Sequence, residues 1–192
     1  KHYTEYLVTN NPNTFMFESC DASEVQILIN QLNISKSYGP NSIPTNILQM
    51  INNEISPTLS KIFNISVLTG THPETLKMVN AVPIFKKGSR LSITNYRPIS
   101  LLSNLNKIFE KILYKRIIDF IDIHNLLYSK QYGFRSKHST SHAIIDITET
   151  IRSALDGNKV SCGIFIDLQK AFDTVNHDIL LNKLYHYGFR GT

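Results

Sequence analysis

Residues 163–177 read GIFIDLQKAFDTVNH, a stretch with two aspartates that follows an apolar run and leads into a helical pattern. Val160–Ile166 is rich in apolar, β-branched and aromatic side chains, which is typical of a buried strand. Asp167 is therefore expected where the strand leaves the sheet, a usual place for a ligand-binding residue in an α/β fold. Asp173 follows, just before a helical pattern that ends at Gly188. A strand, a carboxylate, a turn and a helix can hold a divalent metal against a phosphate, although a cap or turn is the structural alternative.

The composition is that of a folded protein with a basic centre. Of the 192 residues, 42% are hydrophobic, which is enough to bury a core. Residues 77–137 carry 12 Lys and Arg against three acidic residues, a net charge of +9, whereas the remainder carries −4. This asymmetry predicts a polyanionic partner. The alternative is a solvated helix face, because Lys107, Lys111 and Lys115 lie at helical spacing.

Other sequence features limit the compartment and the kind of site. No apolar run has membrane-spanning length and no secretory signal is visible, so we expect an intracellular protein without a membrane partner. Cys20 and Cys162 lie far apart and have no CxxC partners, so no disulfide framework or zinc knuckle is predicted. Cys162 is expected to be a small core residue of the strand.

Capping residues and apolar periodicity predict the helices. Residues 1–20 show no period and are expected to form a tether. Asp21, with Glu24 three residues later, marks the first helix start. Another helix is predicted to begin at Ser56–Pro57, a cap followed by proline at the first helical position, and to end at Gly70. Further helices are predicted from about Pro44, after Ser103, and through 143–155.

A basic hairpin is predicted in the middle of the chain. Met78–Phe85 reads as a strand, 86–90 (KKGSR) as a turn and Tyr96–Leu102 as a returning strand. Lysine and arginine at such a tip can offset the charge that develops on a triphosphate during phosphoryl transfer. A solvated turn is the structural alternative.

Four blocks of the sequence together resemble one protein family. The stretch 165–177 resembles the first palm motif of reverse transcriptases encoded by non-LTR (LINE-type, jockey-like) retrotransposons. Residues 35–44 (SKSYGPNSIP), 83–102 (PIFKKGSR and NYRPISLL) and 131–140 (QYGFRSKHST) resemble upstream blocks of that family, in the same order. Asn41 stands where the family commonly has Asp, and Ser136 stands where it commonly has Pro.

The resemblance implies a fold and a domain organisation. The fold would be α/β (α+β) and helix-rich, with the fingers and an incomplete palm of a right-hand polymerase. Residues 1–75 would form an N-terminal extension and the helical start of the domain, 76–158 the fingers, and 159–192 the beginning of the palm.

The resemblance also implies an activity. The family adds deoxynucleotides to a DNA 3′ end on an RNA template, by two-metal phosphoryl transfer. Asp167 would be the catalytic ligand of both Mg²⁺ ions, and the backbone carbonyl of Leu168 would help to hold the nucleotide-bound ion. Asp173 is interpreted instead as the cap of the following helix. The expected partners are the RNA template, the DNA primer, deoxynucleoside triphosphates and the remainder of the retrotransposon polyprotein.

Further site residues are carried over by the same resemblance. Those expected to meet the incoming nucleotide are Lys86 or Lys87, Arg97 and, as a steric gate against a ribose 2′-OH, Phe172. Those expected along the template are Gln131, Phe134 and Arg135, since an aromatic ring can stack on a base and arginine can reach a phosphate.

The family supplies its remaining carboxylates in a downstream Tyr-Ala-Asp-Asp strand, and the 192 residues contain no such string. We therefore expect that this chain is a piece of a longer polyprotein, carries half a metal site and does not polymerise alone. Nuclear action is expected from the family. The alternatives are a non-catalytic nucleic-acid-binding module, left by a decayed element or adopted by a host, and an intron-encoded maturase. The LINE-like details of the motifs argue against the maturase.

Overall fold

The computed structural model describes residues 11–35, 37–168 and 171–190. They form two compact units: an N-terminal unit of residues 15–120 with Arg190, and a C-terminal unit of residues 11–14 with 121–189. The described part is helix-rich, as predicted, with one small sheet. Its elements in chain order are α1 (Ala22–Asn30), α2 (Thr45–Met50), α3 (Asn52–Thr69), α4 (Glu74–Lys77), β1 (Val79–Phe85), β2 (Tyr96–Leu102), α5 (Asn104–Ile123), α6 (Thr140–Asp156) and α7 (His177–Tyr187). None of the helices described here combines the length and apolarity needed to cross a bilayer.

Short polar side chains begin several of the helices where the sequence predicts it. The Asp21 carboxylate accepts from the Glu24 N–H at 2.8 Å, which caps α1. The Ser103 hydroxyl accepts from the Asn106 N–H at 3.2 Å at the start of α5. Gly70 ends α3 in the left-handed region, with φ 62°, where a residue without Cβ is favoured.

The predicted start of α3 is wrong by one helical turn. The helix begins at Asn52, so Ser56 and Pro57 lie inside it. The Ser56 hydroxyl donates to the carbonyl of Asn52 at 2.7 Å, and the Asn52 side chain donates to the Gln26 carbonyl of α1 at 3.1 Å. Ser56 therefore binds the preceding turn of α3 and does not cap a helix.

The core of the N-terminal unit is formed by apolar residues of α1, α2, α3 and α5. The rings of Phe63 and Phe109 stack with their centroids 4.7 Å apart, and the His72 ring lies on Phe109 at 5.3 Å. Ile108 and Ile112 of α5 are fully buried in the same core, as expected for the helix that apolar periodicity predicts after Ser103. Burying side chains of this size contributes about 1.5–3 kcal/mol each.

Residues before α1 are packed, so the predicted tether is wrong for them. Cys20 is buried, and its backbone exchanges two hydrogen bonds with the Asn64 side chain, at 2.9 and 2.8 Å. The Phe15 ring meets Phe120 edge-on at 5.5 Å. Residues 1–10 of the predicted tether lie outside the described residues.

Strands β1 and β2 form the predicted antiparallel hairpin, with Val79 opposite Leu102 and Phe85 opposite Tyr96. Pro83 and Pro98 lie directly opposite each other in the middle. Because the Lys86 N–H donates to Asn95 O and antiparallel pairs alternate, the proline pair falls at a non-hydrogen-bonded position. The ladder therefore does not need the N–H groups that proline lacks.

Gly39, in the block at residues 35–44, lies against the backbone of β2. Its N–H donates to the Leu102 carbonyl at 2.9 Å. A Cβ on Gly39 would lie 2.2 Å from the Leu101 carbonyl oxygen. The residue is therefore required for the close approach of this backbone to β2. Asn41 nearby has a positive φ of 52°, which asparagine adopts more readily than most residues. Lys36 of this block lies outside the described residues.

The predicted strand at Val160–Ile166 is not formed. Residues 161–168 have no regular structure, and Ile164, Phe165 and Ile166 are exposed. Cys162 is exposed too, so its expected role as a core residue is wrong. A strand requires a neighbour to complete its backbone hydrogen bonds, and β1 and β2 form the one sheet among the described residues.

The C-terminal unit contains α6 and α7. The Asn176 side chain accepts from the Ile179 N–H at 3.1 Å and caps α7, so the interpretation of Asp173 as this cap is wrong. Asp173 lies three residues too early to reach the first turn. Gly188 ends α7 as predicted, with φ 105°, and Asn11 donates to the His186 and Tyr187 carbonyls at 2.9 Å.

Candidate functional site

The tip of the β1–β2 hairpin is held by backbone and amide hydrogen bonds. The Lys86 N–H donates to Asn95 O at 2.8 Å, one rung beyond β1. The Asn95 side chain donates to the Ser89 carbonyl at 2.8 Å. Gly88 has φ 90°, and a Cβ on it would lie 2.8 Å from the Asn95 amide. The basic turn is therefore ordered even though its side chains reach solvent.

The hairpin register distinguishes Lys86 from Lys87. Arg97 lies opposite Ile84, and Lys86 is two residues after Ile84 in a ladder that continues to Asn95. Side chains two residues apart in a strand share a face, so Lys86 and Arg97 lie on the same face as diagonal neighbours. Both residues are exposed. Lys87 is one residue further, in the turn and beyond the ladder.

Aromatic contacts hold the other face of the hairpin. The Phe85 and Tyr96 rings meet edge-on at 5.6 Å. The Arg90 guanidinium lies over the Phe85 ring at 5.3 Å, and the Tyr96 hydroxyl donates to the Arg90 carbonyl at 2.9 Å. Arg90 thus has a structural partner on the face opposite to Lys86 and Arg97.

A loop of the C-terminal unit carries the residues expected along the template. The Gln131 N–H donates to the Tyr128 carbonyl at 2.9 Å, and the Gln131 side chain donates to the Gly133 carbonyl at 3.2 Å. The Arg135 guanidinium also donates to the Tyr128 carbonyl, at 3.4 Å. Phe134 has a positive φ of 58°, and its ring is 87% exposed. The loop turns on itself and presents an aromatic ring to solvent.

This loop is fastened to α6 by an acidic residue. The Lys130 ammonium forms an ion pair with Asp146 at 2.5 Å. The hydrogen bond from Lys130, and then that from Tyr132, hold the pKa of Asp146 below its usual value. Loss of solvation, followed by the bond to Asp146, raises the pKa of Tyr132. The sequence pattern gave no signal for Asp146, since it lies 16 residues from its partner in a helix of mixed polarity.

Two predicted site residues of the C-terminal unit meet directly. The Phe134 and Phe172 rings contact edge-on, with their centroids 6.1 Å apart. Asp167 and Leu168 are exposed in the irregular segment. The structure therefore brings together Phe134 with Phe172, and Lys86 with Arg97.

A sequence profile described as "Reverse transcriptase (RNA-dependent DNA polymerase)" matches residues 84–192, more than half of the chain. The chain belongs to the reverse transcriptase family. The "Probable RNA-directed DNA polymerase from transposon BS" of Drosophila melanogaster is 33% identical over 84% of the chain. The RNA-directed DNA polymerase from mobile element jockey of the same species is 28% identical over 93%. The "Probable RNA-directed DNA polymerase from transposon X-element" is 30% identical over 84%. These matches confirm the resemblance to jockey-like non-LTR retrotransposons.

The reverse transcriptase chain spans about a fifth of the length of these relatives. The matched part is 18% of the transposon BS and X-element proteins and 20% of the jockey protein. The profile begins inside β1, so it includes both the hairpin tip and Asp167.

Reverse transcriptases use divalent metal ions, and the described residues supply too few ligands for a complete pair. Asp167 and the Leu168 carbonyl are hard oxygen donors of the kind that Mg²⁺ prefers. Across residues 11–35, 37–168 and 171–190, no three or more His, Cys, Asp or Glu side chains cluster as metal ligands. The donor type fits the ion, and the number of donors does not.

Proposed function

We propose that this chain is the fingers and the first palm segment of an RNA-directed DNA polymerase from a non-LTR retrotransposon. The observation that carries the proposal is the basic face of the β1–β2 hairpin, where Lys86 and Arg97 are neighbours in a segment that matches the family. Two exposed cations on an ordered hairpin suit the β- and γ-phosphates of a deoxynucleoside triphosphate, because fixed positive charge offsets charge developing there.

The C-terminal unit would supply the other contacts of the polymerase. Gln131, Phe134 and Arg135 would follow the RNA template, with Phe134 stacking on a base. Phe172 would exclude the ribose 2′-OH, and its contact with Phe134 supports a shared position beside the templating base. Asp167 would be one ligand of the two ions of the complete enzyme, joined by the Leu168 carbonyl.

The proposal has consequences for the chain studied alone and for the parent protein. Since the described residues lack a carboxylate cluster, the chain by itself should not extend a primer. The parent protein would take a DNA primer and the RNA template, with the rest of the polyprotein, and would act in the nucleus. The segments would be an N-terminal extension (1–75), fingers (76–158) and the start of the palm (159–192).

Alanine substitutions in the polymerase that carries this segment test the proposal. Lys86→Ala and Arg97→Ala should each raise the KM for deoxynucleotide about ten-fold or more, which corresponds to one charge-assisted hydrogen bond. Lys87→Ala is the matched control and should change the KM by less than about two-fold. Equal effects of the two lysine substitutions, or no effect of Arg97→Ala, would contradict the assigned face.

One alternative is supported by the basic stretch at 77–137, and by the finding that no three or more possible metal-ligating side chains cluster among the described residues. In this alternative the chain binds nucleic acid without catalysis. A parent polymerase that extends a primer only when Asp167 is intact would exclude it.

A further inference from the structure

A cleft lies between the end of α1 and the outer face of α5, wholly within the N-terminal unit. Its volume is about 560 Å³, within the roughly 300–1,000 Å³ range of small-ligand clefts. We call it the α1–α5 cleft. Its principal lining side chains are Gln31, Leu32, Asn33, Lys107, Lys111 and Tyr114.

One side of the α1–α5 cleft is basic. Lys107 and Lys111 are four residues apart on α5 and therefore lie on one face of the helix. The Lys107 ammonium donates to the Ser37 carbonyl at 3.0 Å, which fixes it at the rim. Glu110 is the one acidic lining residue, and its carboxylate accepts from the Asn106 amide at 3.2 Å. The lining charge is therefore positive, and the carboxylate has a partner of its own.

The rest of the cleft combines an apolar wall with amide groups. Leu32 is 9% exposed and forms part of the core, whereas the Tyr114 ring is 62% exposed although it lines a concave surface. A ring that remains accessible beside lysines is the arrangement on which unpaired bases stack. The exposed Gln31 amide can donate to and accept from the polar edge of a base. The Asn33 amide oxygen accepts from the N–H and the hydroxyl of Ser35 at 2.9 and 2.7 Å, so Asn33 would offer its NH₂ group as a donor.

We propose that the α1–α5 cleft binds one unpaired nucleotide of a single-stranded nucleic acid. The backbone phosphate lies against Lys107 and Lys111, the base stacks on Tyr114, and the amides meet the base edge. A duplex does not fit this chemistry, because its bases are stacked inside and cannot reach a ring in a concave site. The inference rests on the proposed function only in taking nucleic acid as the polymer, and its residues are different from those proposed to meet the nucleotide and the template.

Fluorescence anisotropy on the 192-residue chain tests the site, with labelled oligouridine, oligothymidine and a duplex of the same length as probes. Tyr114→Ala should raise the Kd for the single strands about five-fold or more, as expected for loss of one stacked base. Tyr114→Phe keeps the ring and should leave the Kd unchanged. Lys111→Ala should reduce the slope of log K against log salt by about 0.7. Lys61 is an exposed lysine on α3, and Lys61→Ala is the control, which should leave the slope of the unaltered chain unchanged.

Photocrosslinking locates the contact independently of the variants. A 4-thiouridine strand bound to the unaltered chain should crosslink to the α5 peptide that contains Tyr114, and the circular dichroism of each variant should match that of the unaltered chain. Single strands that bind without any effect of Tyr114→Ala or Lys111→Ala, crosslinks confined to other peptides, or no binding of either strand at low salt would overturn the inference. The KM test on Lys86 and Arg97 is read separately, so the two proposals can fail independently. A preference between the ribose and deoxyribose strands would identify which polymer occupies the cleft.

Discussion

A paired arginine and glutamate should contribute strongly to the stability of the N-terminal unit. The Arg116 guanidinium donates two hydrogen bonds to the Glu24 carboxylate, both at 2.6 Å, and its Nε donates to the Glu18 carbonyl at 3.2 Å. It also lies 5.9 Å from the centre of the Phe17 ring. The pair connects α5 to α1 and to the segment before α1.

The expected cost of Arg116→Met follows from the burial of the pair. The side chains of Arg116 and Glu24 are 11% and 21% exposed, so the pair lies between an exposed ion pair, worth about 0.2–1 kcal/mol, and a buried one, whose disruption costs about 3–5 kcal/mol. We expect Arg116→Met to lower the free energy of unfolding by about 2 kcal/mol. Lys115→Met is the matched control, since the Lys115 side chain is 63% exposed and its ammonium lies 3.8 Å from the same carboxylate, and it should cost less than about 0.5 kcal/mol.

Urea denaturation followed by circular dichroism measures these differences, and the pH dependence identifies their source. The hydrogen bond from Arg116 is the main cause that lowers the pKa of Glu24. A carboxylate with a lowered pKa stabilises the fold above its unfolded pKa of about 4.3 and loses that contribution as the pH falls through the lowered value. The unaltered chain should therefore have a larger free energy of unfolding than Glu24→Gln at pH 7, and this difference should fade below about pH 4. The reasoning would be refuted if Arg116→Met and Lys115→Met lowered the free energy of unfolding equally. It would also be refuted if the difference between the unaltered chain and Glu24→Gln grew on acidification.

Three further substitutions, one of them with a matched control, test individual features of the fold. Gly39→Ala should lower the free energy of unfolding by about 2 kcal/mol in urea denaturation, because the added Cβ meets backbone of β2; a neutral result would contradict the close approach. Gly188→Ala should cost about 1 kcal/mol because of the positive φ, whereas Gly157→Ala, at φ −89°, should stay within about 0.5 kcal/mol; similar thermal midpoints for the two would count against this. Asp146→Asn should speed amide exchange in the 128–138 loop at neutral pH, since it removes the carboxylate whose pKa the bond from Lys130 holds low. In the unaltered chain, faster exchange should appear only as the pH falls through that lowered pKa. Amide protection that the substitution leaves unchanged would contradict the role of the Lys130–Asp146 pair in holding the loop.

Local signals in the sequence were sufficient for the elements whose causes are local. Asp21 caps α1, Gly70 ends α3, and the two halves of the hairpin pair as their composition predicts. The wrong start of α3 and the wrong cap of α7 have different causes. Asp173 and Asn176 are both residue types that can cap α7, and Asn176 accepts the bond. Helix α3 begins at Asn52 without a side-chain cap, and Asn52 donates to a carbonyl of α1, which is distant in the sequence.

Features that depend on distant partners could not be predicted. Glu24 was recognised for its place in a capping pattern, while its carboxylate binds Arg116, 92 residues away. The different positions of Lys86 and Lys87 relative to Arg97 follow only from the register of the hairpin. For the site, the resemblance supplied the residues, and the structure supplied two of their juxtapositions. The apolar run before Asp167 was wrongly predicted as a strand. Its composition indicates the tendency to form a strand, but it does not show whether a neighbouring strand is available.

The opposed prolines of the hairpin also affect how it meets other polypeptides. At a non-hydrogen-bonded pair, the N–H of each residue would point away from the partner strand, so Pro83 and Pro98 each remove a donor from the outer edge of their own strand. A third strand that tried to add to either side would lose its hydrogen bond at the midpoint of a seven-residue edge. Both edges of the β1–β2 hairpin are thus protected against edge-to-edge association with other copies, and its faces remain available for a ligand.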